Sequence, residues 1–297
     1  MKETVFITGG VRLTGTENRS KISYLRHDRV CQKFKDWPID APRFAQNVTV
    51  GKPRVAHFEG SKWVSECVAA ALADASLSEA DVIGSRTGFV SGSCFGAAEF
   101  LNSLHQTVET KGPRKLRPTD FAIATQGYPT AALSMEYQAN GPCTAFVNGA
   151  TSGYEALSFA SLMLTEGQAE RMVVLAYDTK GAACEKLQDA AYGTNIPEFS
   201  VVAFVLQTTS ATLPIAKLGD ISSGFGESFV KSDKFRPEYQ ALDKTRPGSG
   251  GLNAIFDILS GATPGMPLQA TVQDRNSAYF NIEFSRISRA TWADAVA

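Results

Sequence analysis

The chain has 297 residues and is 43% apolar, 10% aromatic and 20% charged, a globular composition that excludes a disordered chain. Its length fits one large domain or two fused ones. Lys+Arg 29 against Asp+Glu 30 leaves a formal charge of -1, so no basic excess points to nucleic acid or an anionic membrane.

The opening MKETVFITGG has no apolar run of the kind a signal peptide needs, and no stretch of about 18 apolar residues predicts a membrane span. Cys31, Cys67, Cys94, Cys143 and Cys184 are odd in number and widely spaced, which reads as reduced thiols in a cytoplasmic protein. The three histidines, His27, His57 and His105, all fall in the first third and lack the spacing of metal ligands. No metal site is expected. The phosphate-cradling motifs are absent too, so no nucleotide or other cofactor is expected.

In chain order, VFIT predicts a first strand ending in a Gly-Gly turn. Residues 11–58 read as polar and irregular. Ser61 predicts the cap of a helix over 62–75, with Trp63, Val64, Cys67, Val68, Ala71 and Leu72 as its apolar stripe. TGFVSGS (87–93) reads as a strand running into a glycine turn, with a helix over 96–109. KGPRKLRP (111–118) reads as a basic loop, and 119–139 as mixed, helical in its later part. TAFVN (144–148) predicts a strand broken by Gly149, then a helix from Ser152 to Thr165. MVVLAY (172–177) and VVAFVLQ (201–207) are continuous apolar runs of buried strands. Between them 178–198 reads as a long connection. Pro214–Phe225 reads as strand and turn, 227–250 as a charged loop and Gly251–Ser260 as a short helix. The alternation in AYFNIEFSR predicts a last strand near 279–287. The strand–helix alternation argues an α/β fold.

The segment GPCTAFVNGATSGYEALSFASLMLTEGQAERMVVLAYD (141–178) resembles the heart of a β-ketoacyl synthase. That family shows a Gly-Pro, a strand, a tight turn bearing the nucleophilic cysteine, Ser-Gly and a helix, then a second apolar strand. GFVSGSCFG, GPRKLRP, SVVAFVLQ and LGDISSGFG extend the likeness to about residue 226. GSGGLNAIFDILSG and NSAYFNIEFSR carry it more weakly to the end. The resemblance implies a thiolase-like αβαβα sandwich of two similar halves. Here a complete N-terminal half (1–211) would be followed by a truncated C-terminal half (212–297).

Two departures bear on function. The nucleophile position holds Ala150, and a methyl group cannot accept an acyl chain. The family's two second-half histidines have no counterpart, because no His follows His105 and the block at 227–248 holds none. The resemblance therefore implies a non-catalytic chain length factor. It would pair with a catalytic ketosynthase during type II polyketide or aryl-polyene elongation on acyl carrier protein. Thr119, Asp120, Phe121, Ala122, Ile123, Ala124, Thr125 and Gln126 would line the tunnel or interface, with Phe121 as plug and Asp120 bonding at the rim. Lys111, Arg114, Lys115 and Arg117 would dock the carrier protein. Truncation is expected to bare apolar sheet surface and so demand a partner. Cys94 and Cys143 read as buried small hydrophobes, not replacement nucleophiles. Asp178 and Glu185 are assigned no catalysis. Two alternatives stand: an autonomous decarboxylase or acyltransferase using Thr151 or Ser152, and a scaffold that only recruits carrier proteins.

Overall fold

Strand β1 (Phe6–Thr16) does not stop at Gly9-Gly10 but runs through it. The glycines answer to close packing, not to a turn. A Cβ on Gly9 would lie 2.5 Å from the Ala71 carbonyl oxygen, and one on Gly10 would overlap Leu25. The computed structural model describes residues 4–16, 19–25, 61–178, 181–193, 200–209, 213–225, 248–263, 267–273 and 278–287. His27, His57, Cys31 and the block at 227–247 lie outside the described residues. So does most of the stretch read as irregular, but its start pairs as a hairpin, β1 with β2 (Arg19–Tyr24).

The remaining elements follow the α/β order. Helix α1 (Ser61–Asp74) precedes β3 (Thr87–Ser93), α2 (Ala98–Lys111), α3 (Pro118–Ile123) and α4 (Tyr128–Glu136). Then come β4 (Cys143–Phe146), α5 (Ser152–Thr165), β5 (Arg171–Asp178), α6 (Ala182–Tyr192) and β6 (Ser200–Gln207). The second half supplies β7 (Ala216–Phe225), α7 (Gly250–Gly261), β8 (Pro267–Gln273) and β9 (Ala278–Arg286). Helix α6 corrects the reading of 178–198 as plain connection, and β8 is a strand that reading did not resolve.

The described strands form one mixed sheet in the order β4-β3-β5-β6-β1-β7-β9-β8, with β2 beside β1. Strand β3 is parallel to both β4 and β5; β6 is antiparallel to β5 and β1. Strands β3 and β6 are buried along their whole length, and β5 everywhere but at Arg171. Their side chains feed two cores alternately. Val173, Leu175 and Tyr177 join α1 and α4 on one face; Met172, Val174 and Ala176 join α5 and α7 on the other. Of these, Met172, Val173, Val174 and Leu175 each contribute about 1.5–3 kcal/mol by leaving water.

The second core also takes Leu218, Ala270, Ile282 and Phe284 from β7, β8 and β9. Helices α5 and α7 thus lie between the central strands and the β7–β9–β8 end. The outward residues of that end are polar: Lys217, Thr271, Asn281, Glu283 and Ser285. Gln269 and Thr271 both hydrogen-bond the Asn281 side-chain oxygen. This corrects the expectation of a bare apolar surface. Among the described residues, the short second half ends in a wettable face.

Candidate functional site: a sealed turn and an open segment

After β4 the chain turns sharply. Gly149 has φ +69°, a conformation that glycine enters without strain. A 3-10 turn over Gly149–Thr151 leads into α5. Ala150 sits on this turn at 1% exposure, at the N-terminal end of α5 and beneath β8, β9 and α7. Gly92 brings β3 against the same place, since a Cβ there would lie 2.5 Å from the Ser152 carbonyl oxygen.

The turn's polar groups bond to one another. Asn148 N–H donates to Ser152 Oγ at 2.8 Å, and Ser152 Oγ donates to the Gly149 carbonyl at 2.8 Å. Thr151 Oγ1 lies 3.1 Å from the Asn148 carbonyl and 2.9 Å from Glu155 Oε1. Asn148 Nδ2 donates to the other Glu155 oxygen at 2.6 Å. Both hydroxyls are therefore taken up in bonds within the turn. Ala150 has no lone pair to offer an acyl group.

Asp178 ends β5 and is buried at 2% exposure. Its carboxylate accepts the Gly248 N–H at 2.7 Å, the Ser249 N–H at 2.8 Å and the Ser249 hydroxyl at 2.5 Å. It caps α7, where the helix dipole favours negative charge. Ser249 Oγ also lies 3.1 Å from Ser200 Oγ, and Asn253 Nδ2 lies 3.1 Å from Ser200 Oγ and from the Ser249 carbonyl. Spacing in the sequence carried no sign of this cluster, because its members come from β5, β6 and α7. Glu185 lies on α6, outside it.

The segment 119–126 is mostly open. Phe121 is 61% exposed; Thr119, Ala122, Thr125 and Gln126 are also exposed, and Ala124 is half-buried. Ile123 faces its own chain, buried at 9%, so it is not available as tunnel bulk. Asp120 is buried and bonds within its own turn instead of at a rim. It accepts the Arg117 backbone N–H at 2.9 Å, Nη2 at 2.8 Å and Nε at 3.1 Å. The Arg117 hydrogen bonds hold the Asp120 carboxyl below the usual carboxylate range. Arg117 is thereby engaged in an N-terminal cap. Lys111, Arg114 and Lys115 are exposed without an ion pair among the described residues.

Cys94 is buried, with Sγ 3.7 Å from the Tyr192 hydroxyl. Cys143 is exposed, against the expectation of burial, because β4 is the edge of the sheet. Its thiol is nevertheless pushed up by partial desolvation, which disfavours the thiolate. His105 stands exposed on α2, 3.1 Å from Glu109. Among the described residues no His, Cys, Asp and Glu side chains group as metal ligands, and no helix is long and apolar enough to cross a membrane.

Solved structures share this architecture. The chain is similar to the ishigamide ketosynthase/chain length factor, with TM-score 0.69 at 12% identity, covering 96% of this chain and 100% of that one. It is similar to a type II PKS acyl-carrier protein in complex with its ketosynthase bound to the hexaketide: TM-score 0.69, 14% identity, 97% and 100% covered. Among curated proteins, it is 30% identical over 119 residues to the granaticin polyketide putative beta-ketoacyl synthase 1 of Streptomyces violaceoruber, 38% of this chain and 28% of that protein. It is 30% identical over 103 residues to 3-oxoacyl-[acyl-carrier-protein] synthase 2 of Vibrio cholerae serotype O1, 35% of this chain and 25% of that protein. The chain thus spans little more than a quarter of the curated relatives it matches. The family model of the beta-ketoacyl synthase N-terminal domain matches residues 26–185, more than half of the chain. With the thiolase-like fold and the strand–turn–helix around Ala150, that match makes the chain a member of the β-ketoacyl synthase family.

Proposed function

We propose that this chain is a non-catalytic ketosynthase-like subunit, a chain length factor. It pairs with an active ketosynthase and shapes the acyl tunnel while a polyketide or polyene grows on acyl carrier protein. The observation that carries this reading is Ala150, buried on the turn where the family places its nucleophile. The absence of any His after His105 supports it independently. Two of the similar structures are of ketosynthase/chain length factor proteins, which favours the same reading. An aryl-polyene pathway is the specific setting we propose, and the cytoplasm the compartment.

The partner docks at the β4 edge in this reading. Among the described residues β4 pairs only with β3. Phe146 at its end meets Phe159 of α5 with ring centroids 5.9 Å apart, and α5 also carries Leu162, 51% exposed. Bare backbone and an apolar margin together suit strand pairing with a second chain. An autonomous enzyme using Thr151 or Ser152 finds less support, since both hydroxyls are committed to the turn.

The test is reconstitution. The chain alone, given malonyl-carrier protein, is expected to release no carbon dioxide and form no condensation product; with its ketosynthase, elongation appears. Ala150→Cys alone is expected to stay inert, because the second-half histidines are still lacking. Condensation by that variant without a partner would sink the proposal. Partner binding with no effect of any 119–126 substitution on product length would leave only the scaffold.

A further inference from the structure

Gln126 closes the segment that this reading assigns to the tunnel, yet its bonding differs from that of its neighbours. Its Oε1 accepts the backbone N–H of Ala97 at 3.0 Å, across 29 residues of sequence. Ala97 precedes the first turn of α2, whose leading N–H groups have no partner within the helix. The adjacent Gly96 has φ +53°, and a Cβ there would overlap Gln126 Oε1. The Gly96 N–H is held by Ser93 Oγ at 3.1 Å, from the end of β3. The 93–97 turn is therefore tied to the central sheet on one side and to the α3–α4 connection on the other.

Glu99 in the first turn of α2 accepts the Ala183 and Cys184 N–H groups of α6 at 2.9 and 3.3 Å, which ties α2 to α6. Helix α2 has no fully buried residue along its fourteen positions, and of the apolar residues in the six-residue α3 only Ile123 is buried. Directional bonds therefore count for much of how these two helices are placed. The Ala97–Gln126 bond joins both to β3 with directional geometry.

We propose that Gln126 is a positioning residue: it anchors α3 to the α2 start, so that Phe121 meets the growing chain at one fixed place. The inference rests on the chain-length reading above. Gln126 forms no wall; it sets where the wall stands. Loss of the anchor leaves Phe121 present but wandering, and blurs the length at which elongation stops.

The experiment uses the co-purified ketosynthase complex with Gln126→Ala, Gln126→Glu and Phe121→Ala, read by amide hydrogen exchange and by product mass. Gln126→Ala is expected to speed exchange at 96–101 and 118–126 about tenfold and to broaden product lengths on both sides of the normal one. Gln126→Glu keeps an acceptor oxygen at a helix N-terminus and is expected to restore both readouts. Phe121→Ala is expected to lengthen products with exchange at 96–101 unchanged. Unaltered exchange in Gln126→Ala overturns the anchor and leaves the role of Phe121 standing. Faster exchange with a normal product distribution, while Phe121→Ala lengthens products, overturns the link between anchor and length. If Phe121→Ala also has no effect, the chain-length reading itself fails, and this inference with it.

Discussion

The two ends of the sheet make different offers to a second chain. At the β4 end the edge residues Cys143, Thr144, Ala145 and Phe146 include no charge; Phe159 of α5 meets Phe146, and the same helix carries the exposed Leu162. At the β8 end Pro267 removes a backbone donor, and the outward face carries Thr271, Asn281 and Glu283. Native edges that are meant to stay single are guarded by such residues, and edges meant to pair are not. Among the described residues, the β8 edge is guarded and the β4 edge is open to pairing.

Breaking the β4 end should have the largest effect. Leu162→Lys is expected to weaken co-purification with the ketosynthase about tenfold or more, while circular dichroism stays as in the parent chain. One lost apolar contact of about 1.5–3 kcal/mol supports that size. The counterpart at the other end, Thr271→Lys, should leave pull-down yield unaltered. Equal losses at both ends would erase the distinction.

A middle-sized effect belongs to α3, which stands open on the first half. Phe121→Ala is expected to lengthen products in the reconstituted pair; Ala122→Phe and Ala124→Phe are expected to shorten them. Overpacking a wall costs about 1–3 kcal/mol, enough to stop elongation sharply. Mass spectrometry of the products decides, and an unshifted distribution in all three would place closure in the partner alone.

Smaller still is the charge term. Arg114→Glu with Lys115→Glu should slow carrier-protein association several-fold at low salt and little at physiological salt, since surface charge acts mainly on encounter. Stopped-flow rates at two ionic strengths measure this. Arg117 is left out of the pair because Asp120 engages it. Least of all, Lys217→Glu on the polar outer face should change stability by less than about 0.5 kcal/mol in a denaturant melt. A larger loss would mean that this face is covered.

Much of the first half was legible in the sequence because its signals are local. Gly149 and Ser152 mark the start of α5, and the helix runs over the predicted Ser152–Thr165. The continuous apolar runs of β5 and β6 identify strands buried on both faces. Gly9-Gly10 misled, because a glycine demanded by a neighbouring helix looks like one demanded by a turn. Helix α6 was missed because only Cys184 and Gln188 bury within it, so no apolar stripe announces it. Exposure of Cys143 depends on which strand is last in the sheet, and that is a tertiary property. At the site, Ala150 was readable from its motif. The engagement of Arg117, the inward turn of Ile123 and the cap on α7 were not, since each depends on partners placed by folding.

Helix α7 is held at both ends by opposite charges. Asp178 of the first half caps its N-terminus; Arg286 of β9 donates Nη1 to the Leu259 and Ala262 carbonyls at its C-terminus. Arg12 of β1 reaches Asp257 at its middle and lies 4.7 Å from the Phe256 ring centroid. The helix belongs to the second half by sequence but is gripped by the first. Unfolding should therefore be a single cooperative event: a chain cut between β6 and β7 would lose both pieces together, and calorimetry of the intact protein should record one transition instead of two.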